Sequence, residues 1–407
     1  MKSSKKKTLV TIDQISLSTG GFWTVIDIAE SLKDKHEIAF CIVGLNYFHS
    51  IRAFTRIINK RIPQSSIFIY PFVKRKPRIS FLSNILHLIV FTLYRLFLNI
   101  YFYKQRLHAI NYMQTTNTVF FSSFLTIEDM EYLDTKFKSE CIKIQNHAGS
   151  LDTLMNFSKS INDGIGTKKD SYFNYLSMQD KIIFQSTLQK QEIDKTYPSL
   201  KNKTFSFLPS VNEKDLMISK SSESPFTQDE NFNIVYVATI QPRKRQDLCV
   251  DIISKLLIEN MNVNLYFVGE YRNDAYYNSL IEKIKKMNLQ NNIFFTGYTN
   301  HFAEYMWHCD LIIHPSRAEG VPRVLREALF MGKAIIASNL EGNRDLFQKY
   351  NSGILIDLAC AELYSNAISS LINDESLKLS YEKKARISYD NQLSFKQYQE
   401  NVINLFD

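Results

Sequence analysis

The stretch that decides the fold runs Pro315-Ser316-Arg317-Ala318-Glu319-Gly320-Val321-Pro322-Arg323-Val324-Leu325-Arg326-Glu327-Ala328-Leu329-Phe330-Met331-Gly332. A short apolar run, residues 311–314, precedes it, and a second, residues 334–338, follows. Pro322 suits a first helical position, since its ring presets φ and its missing N–H is an orphan there anyway. Gly332 suits the stop. The spacing therefore predicts strand, loop, helix and strand, the repeating unit of a parallel α/β sheet. The helix start leaves N–H groups near Val321–Val324 without helical acceptors, and such a start binds phosphate with help from its dipole. Glu319 falls in the loop just ahead of the helix, and Glu327 more than a turn inside it. A carboxylate accepts two hydroxyl hydrogen bonds, so vicinal hydroxyls on a sugar or ribose are natural partners. The same spacing also permits an ordinary surface helix with Glu327 paired to Arg323 at i,i+4.

The alternation extends outward in both directions. Towards the N-terminus of this stretch, residues 233–239, 264–269 and 293–296 read as strands, with helices at 246–259, 279–287 and 302–307 between them. This is a doubly wound domain in its own right. Residues 219–230, rich in Ser, Glu and Asp with Pro225, read as a linker. Before them lies a second set of apolar runs at 8–13, 38–43, 66–70, 118–122, 142–145, 181–185 and 204–208. A polar loop with Gly20-Gly21 and a helix at 22–32 follow the first run. The expected fold class is α/β, with two Rossmann-like doubly wound domains facing across a cleft. The expected boundaries are 1–215 for the first domain, 216–230 for the linker and 231–390 for the second. Residues 391–407 are expected as a helix packing back on the first domain.

Bulk properties agree with two globular cores. The chain has 407 residues, 45% hydrophobic and 22% charged, with 29 Phe and 22 Tyr. The five cysteines, Cys41, Cys141, Cys249, Cys309 and Cys360, are scattered, which argues against a zinc site or disulfide framework and fits a reducing compartment. The net charge is +8, and residues 1–110 hold 17 Lys and Arg against 5 Asp and Glu, a net of +12 that leaves −4 for the rest. That asymmetry points to an anionic partner for the first domain. No zinc finger, RNP-like motif or helix-turn-helix pattern accompanies it, so nucleic acid is not the expected partner.

The run at 233–239 leads into Ile240-Gln241-Pro242-Arg243-Lys244-Arg245. A Lys and an Arg in a loop after a strand can neutralise a diphosphate leaving group, and a solvated turn is the plainer reading. No Ser/His/Asp set, Cys/His pair or metal cluster is legible, which suits chemistry done by positioning and charge stabilisation.

Glu319 and Glu327, set in Ser-Arg-Ala-Glu-Gly-Val-Pro…Glu-Ala-Leu…Gly-Lys-Ala-Ile-Ile-Ala-Ser, resemble the Glu-x7-Glu signature of the family-4 retaining glycosyltransferases, which have the two-domain GT-B fold. The resemblance implies that Glu319 contacts the donor sugar and Glu327 the ribose, with Gly320, Val321 and Val324 at the donor helix start. It places donor-phosphate contacts on Arg243 and Lys244. This chain lacks the glycines that many members carry near Ala238-Thr239 and after the Lys, which leaves Lys244 the firmer assignment. By the same resemblance, Tyr298 neighbours the nucleobase, Gly20 and Gly21 approach the donor phosphate, and His147 lies near the reacting sugar as a positioning or electrostatic residue. The implied catalytic set is His147, Glu319 and Lys244. Asp345 reads as a local cap or pair. Transfer with retention is implied, with no metal and no cofactor beyond the nucleotide sugar.

Lys74-Arg75-Lys76-Pro77-Arg78 precedes a long apolar segment, residues 81–103, in which Asn84, His87, Thr92, Arg95 and Asn99 form a polar stripe. Residues 74–106 therefore suggest a core helix, a membrane-surface helix or a span, with the basic cluster favouring an anionic membrane surface. No secretory signal is legible at the start. The expected place is the cytoplasm, peripheral on the inner face of the cell membrane. The expected partners are a nucleotide sugar and a glycan or lipid-linked saccharide acceptor. The expected activity is transfer of a hexose-type sugar in cell-surface polysaccharide or glycolipid synthesis. The rivals are a sugar-nucleotide epimerase or glycan synthase of the same fold, and a non-catalytic membrane-associated scaffold.

Overall fold

In the computed structural model, the apolar runs of each half become one parallel sheet. The structure describes residues 5–12, 20–42, 48–69, 103–122, 135–147, 168–226, 230–271, 273–357 and 360–407. The first sheet holds β1 (Lys6–Ile12), β2 (His36–Ile42), β3 (Ser66–Ile69), β4 (Thr118–Phe121), β5 (Ile142–His147), β6 (Lys181–Phe184) and β7 (Thr204–Ser206). Around it lie helices α1 (Gly20–Leu32), α2 (Phe48–Arg61), α3 (Tyr103–Thr115), α4 (Lys168–Ser177) and α5 (Thr187–Thr196). Its strand order is β3-β2-β1-β4-β5-β6-β7, and every pair is parallel.

The second sheet holds β8 (Phe232–Val237), β9 (Val263–Val268), β10 (Ile293–Gly297), β11 (Leu311–His314), β12 (Ala334–Ser338) and β13 (Ile354–Ile356). A short helix, α6 (Glu213–Ile218), leads into it, and α7 (Gln246–Ile258), α8 (Asp274–Lys286), α9 (Phe302–His308), α10 (Arg323–Met331) and α11 (Glu341–Phe347) connect its strands. Helices α12 (Ala361–Asn373), α13 (Glu375–Gln392) and α14 (Phe395–Phe406) end the chain. The order is β10-β9-β8-β11-β12-β13, again parallel throughout. Both sheets are thus wound the same way, and each reverses its direction of growth beside its first strand. In such sheets the crevice outside the strands' carboxyl ends at that reversal is the ligand position.

Side chains alternate between two cores in each sheet, as the strand period of two requires. Leu9 joins Val119, Phe121 and Ile182 on one face of the first sheet, while Val10 and Ile12 join Phe22, Ile26 and Phe40 on the other. In β8, Val235 faces one core, and Ile234 and Tyr236 the other. The final helix leaves the second sheet altogether. Tyr398, Val402, Leu405 and Phe406 of α14 pack into the first sheet's core beside Phe22 and Ile26. Lys6 Nζ then donates to Asp407 O at 2.8 Å.

The structure departs from the sequence reading in several places. α1 starts at Gly20, so the glycine pair forms the first turn and not the loop before it. Pro322 is the extended residue before α10 (φ −62°, ψ 128°) and not its first helical residue. Part of the stretch read as linker is folded: Leu216 of α6 and Phe226 are buried against the second core, because apolar side chains there have a surface to cover. β13 was not read as a strand; it is a three-residue edge too short to show a period. Residues 74–102, which carry the basic cluster and nearly all of the apolar segment, lie outside the described residues. Among the described residues, no helix is long and apolar enough to cross a membrane.

Candidate functional site

The two loops singled out in the sequence follow β8 and β11, the adjacent strands at which the second sheet reverses. Pro242 starts a single turn, Pro242–Lys244, which ends at Arg245 in the left-handed region (φ 57°). Tyr236 in β8 pins the turn from below, its hydroxyl donating to Lys244 O at 2.7 Å. The β11 loop is stitched to it, with Arg317 N donating to Arg243 O at 3.0 Å. These bonds, each made to a backbone carbonyl, fix the turn and the β11 loop.

Glu319 is the centre of what they hold. Its Oε1 accepts from Lys244 Nζ at 2.5 Å, Ser316 Oγ at 2.5 Å and Arg243 Nη1 at 3.0 Å. His314 Nε2, at the end of β11, lies 3.6 Å away. The Glu319 and Lys244 side chains are each 12% exposed, and Arg243 is 44% exposed at the mouth. Burial pushes the Glu319 carboxyl up, but the charge of Lys244, then the neighbouring His314 ring nitrogen and the charge of Arg243, hold it well below the usual carboxylate range. Burial also pulls the Lys244 ammonium down, against the opposing effect of Glu319. The imidazole of His314 is lowered by burial and so stays neutral. The cluster is an ionised carboxylate clamped between two cations and a hydroxyl.

Helix α10 begins immediately beyond it. The chain turns at Gly320, where α11 packs so closely that a Cβ on Gly342 would lie 1.7 Å from Gly320 O. Only glycine fits at 342. Val321 and Val324 are buried in the core, so their side chains anchor the helix start and only their backbone groups are offered to a ligand. Glu327 is buried, and its Oε1 accepts from Arg323 Nε at 2.8 Å. The plain i,i+4 pairing is therefore present in the structure. Gly332 closes the helix with φ 66°.

Across the cleft, the α10 start meets α1 of the first domain. The Arg323 guanidinium carbon lies 5.4 Å from the centroid of the Trp23 ring, and its Nη1 lies 3.6 Å from Asp27 Oδ2. α1 opens with Gly20 and Gly21, so their backbone belongs to the same end of the cleft. His147 is the last residue of β5 and is fully buried, with its ring 4.5 Å from that of Phe184. Burial pulls its imidazole down to about 3, so it is neutral at physiological pH. Phe184 belongs to β6, the neighbouring strand of the same sheet. Tyr298 follows β10, two strands from β8, and is 52% exposed with its hydroxyl donating to Asn300 Oδ1 at 3.0 Å. Thus Arg243, Lys244, Glu319 and Gly320 are brought together at one end of the second sheet.

Sequence reading missed Ser316, His314, Arg323 and Gly342 as members of this region. Ser316 and His314 carried a signal, since both precede Glu319 at the end of the same strand. Gly342 gave none, because its partner is another loop's carbonyl. Asp345 needs correction: it does not pair locally but reaches into the first domain, accepting from Leu188 N at 3.2 Å and from the Ser186 hydroxyl at the start of α5. Among the described residues, no group of three or more His, Cys, Asp or Glu side chains is arranged to hold a metal ion.

With this geometry in hand, comparison with known proteins is informative. HepE of Anabaena, solved in complex with UDP and glucose, superposes with a TM-score of 0.72 over 99% of both chains at 15% identity. TarM superposes at 0.69 over 100% of this chain and 99% of that one, at 14% identity. The fold is GT-B. Residues 217–388, which contain the whole Lys244–Glu319 cluster and α10, match the family model described as Glycosyl transferases group 1. Among curated proteins, the Escherichia coli UDP-Gal:alpha-D-GlcNAc-diphosphoundecaprenol alpha-1,3-galactosyltransferase is 26% identical over 177 residues, 42% of this chain and 44% of that one. The Staphylococcus aureus poly(ribitol-phosphate) alpha-N-acetylglucosaminyltransferase is 25% identical over 177 residues, 42% of this chain and 34% of that one. The chain thus spans less than half the length of these curated relatives.

Proposed function

We propose that this protein is a retaining glycosyltransferase that moves a hexose-type sugar from a nucleoside diphosphate to a glycan or lipid-linked acceptor in cell-surface glycan synthesis. One observation carries the reading: Lys244, Arg243 and Glu319 converge at the reversal of the second sheet, beside the start of α10. A donor diphosphate offers anionic oxygens in place of Glu319 Oε1. It takes Lys244 and Arg243, together with N–H groups at the helix start. Glu319 is then released to accept from hydroxyls of the sugar, and Glu327 to accept from the ribose. As the bond from the anomeric carbon to the diphosphate oxygen breaks, charge grows on that oxygen, where both cations already stand. The acceptor oxygen bonds the anomeric carbon on the same face and passes its proton to the departing diphosphate oxygen. His147, being neutral, serves by hydrogen bonding near the sugar and not as a fixed charge. Tyr298 flanks the nucleobase, and no metal is required. The names of the curated relatives, which act on diphosphoundecaprenol-linked or polymeric acceptors, support the acceptor class.

The test is a panel of UDP-, GDP-, ADP- and dTDP-sugars, screened first for thermal stabilisation and then for release of nucleoside diphosphate with saccharide acceptors. Turnover with one donor, lowered at least about a hundredfold by Glu319→Ala, is expected. Donor binding without turnover on any acceptor would identify a non-catalytic scaffold instead. Interconversion of the sugar without acceptor would identify an epimerase.

We further propose that the first domain rests on the anionic inner face of the cell membrane. Its net charge of +12 over residues 1–110 supports this, as do Arg52, Arg56 and Lys60 on the exposed face of α2. The protein should sediment with phosphatidylglycerol vesicles, and less so at high salt. Equal sedimentation with neutral vesicles would reject the electrostatic part.

A further inference from the structure

Helix α10 carries a second ionic cluster, and this one looks to the other domain. Glu327 Oε1 holds Arg323 Nε at 2.8 Å, while Trp23 and Asp27 of α1 stand against the rest of the same guanidinium. Asp27 is 1% exposed. Its Oδ1 accepts from Arg61 Nη2 at 2.7 Å, and Arg61 Nε in turn donates to Glu30 at 2.8 Å. Asp27 is therefore fixed from within its own domain. Its Oδ2 is left facing the cleft, buried and without a hydrogen bond. Arg323 Nη1 is in the same condition. They face each other at 3.6 Å, close enough to attract and too far for a hydrogen bond. An approach of roughly half an ångström would complete it. A buried donor and a buried acceptor, each unmet, both gain from the same small movement. Arg326, fully buried one turn along, ties α10 to the connection between the sheets, with Nη1 donating to Ser210 O at 2.5 Å.

We propose that Arg323 is a positioning residue that couples occupancy of Glu327 to closure of the first domain over the second. The inference rests on the reading of Glu327 as the ribose carboxylate. Ribose hydroxyls at Glu327 compete with Arg323 Nε for the same oxygen. The guanidinium then gains most by completing its bond to Asp27. The movement that completes it draws the first turn of α1, with Gly20 and Gly21, towards the start of α10. The nucleotide end of the donor thereby reports its arrival to the domain that presents the acceptor.

The test is a double-mutant cycle, Asp27→Asn and Arg323→Gln, in the full chain. Asp27→Asn is isosteric, and Arg323→Gln keeps part of the aliphatic stem and a polar end, which protects the fold. Spin labels at Lys60→Cys on α2 and Ile258→Cys on α7, in a Cys360→Ser background, read the interdomain separation. UDP, GDP and ADP are added in turn. In the ligand-free protein each single variant should lengthen or broaden the separation, and the double variant should match the singles. The nucleotide that binds should shorten the separation in the unsubstituted protein only. Its affinity should fall about fivefold in Asp27→Asn, with no further fall when Asp27→Asn is added to Arg323→Gln. Unchanged separations, or effects that simply multiply, would overturn the proposal, since a purely structural role for either residue is additive. A nucleotide that binds without shortening the separation would overturn the coupling. If neither these three nor dTDP binds, the donor reading itself fails, and the ligand-free separations then decide the Asp27–Arg323 contact.

Discussion

Glu319 and Glu327 leave the same stretch of chain, yet they live in opposite circumstances. Glu319 sits on a loop and receives three hydrogen bonds from its own domain, with Lys244 and Arg243 supplying full charge. Glu327 sits on a helix and receives one, from an arginine whose other end faces Asp27 of the first domain with its hydrogen bond incomplete. The first arrangement is preorganised: three donors already hold its carboxylate, and in the proposed reaction little is reorganised when charge develops. The second is poised, since a small displacement changes which partners are satisfied. The difference teaches that carboxylates sharing one motif need not share one task. One belongs to a rigid site, and the other to the joint between two bodies.

The sharpest way to break this contrast is at the rigid end. Lys244→Ala removes the buried cation while leaving Arg243 and Ser316 on Glu319. Turnover should fall by about two to three orders of magnitude. Lys244→Arg should recover part of that loss, because charge returns in a larger shape. A Lys244→Ala enzyme with unimpaired turnover would move the phosphate contacts elsewhere.

A smaller effect separates ionisation from mere packing. Glu319 is held well below the usual carboxylate range. A depressed carboxyl adds stability that is fully present above the unfolded value and is lost as pH falls through the folded one. The stability gap between the unsubstituted protein and Glu319→Gln should be about 3 kcal/mol near neutrality, where the variant strands a buried ammonium. Urea unfolding should find that gap level above 4.5 and shrinking steadily below it. A gap indifferent to acid would mean that shape, not charge, makes the contact. The Arg323–Asp27 cycle is the smallest of the three, a few-fold effect, as expected for a contact that is only half made.

Much of the fold could be read from the chain. The apolar runs of both halves were long enough and regular enough to mark their strands, and each enters the sheet of its own half. Glu319 and Lys244 were legible because each follows an apolar strand in a loop, where side chains are free to serve a site. His147 was legible as a strand-end residue, but its burial and consequent neutrality were not. The edge strand β13 escaped because three residues show no period. Gly342 and Asp345 escaped for a different reason: each acts on a segment far away in sequence, Gly320 and the start of α5. Arg323 was legible only as a partner of Glu327, since a one-dimensional spacing rule sees its own helix and nothing across the cleft.

By itself, then, the sequence determined the winding of two parallel sheets and the residue types at their loops. Period and length act locally, through side-chain alternation and backbone geometry, and need no knowledge of the rest of the chain. The tertiary structure alone decided that Lys244 and Glu319 meet and that Arg323 faces Asp27. Those are distances between segments far apart along the chain, set by how the sheets reverse and how the last helix packs back on the first domain. Local rules carry no information about such separations, because burial and charge depend on what folding brings into contact.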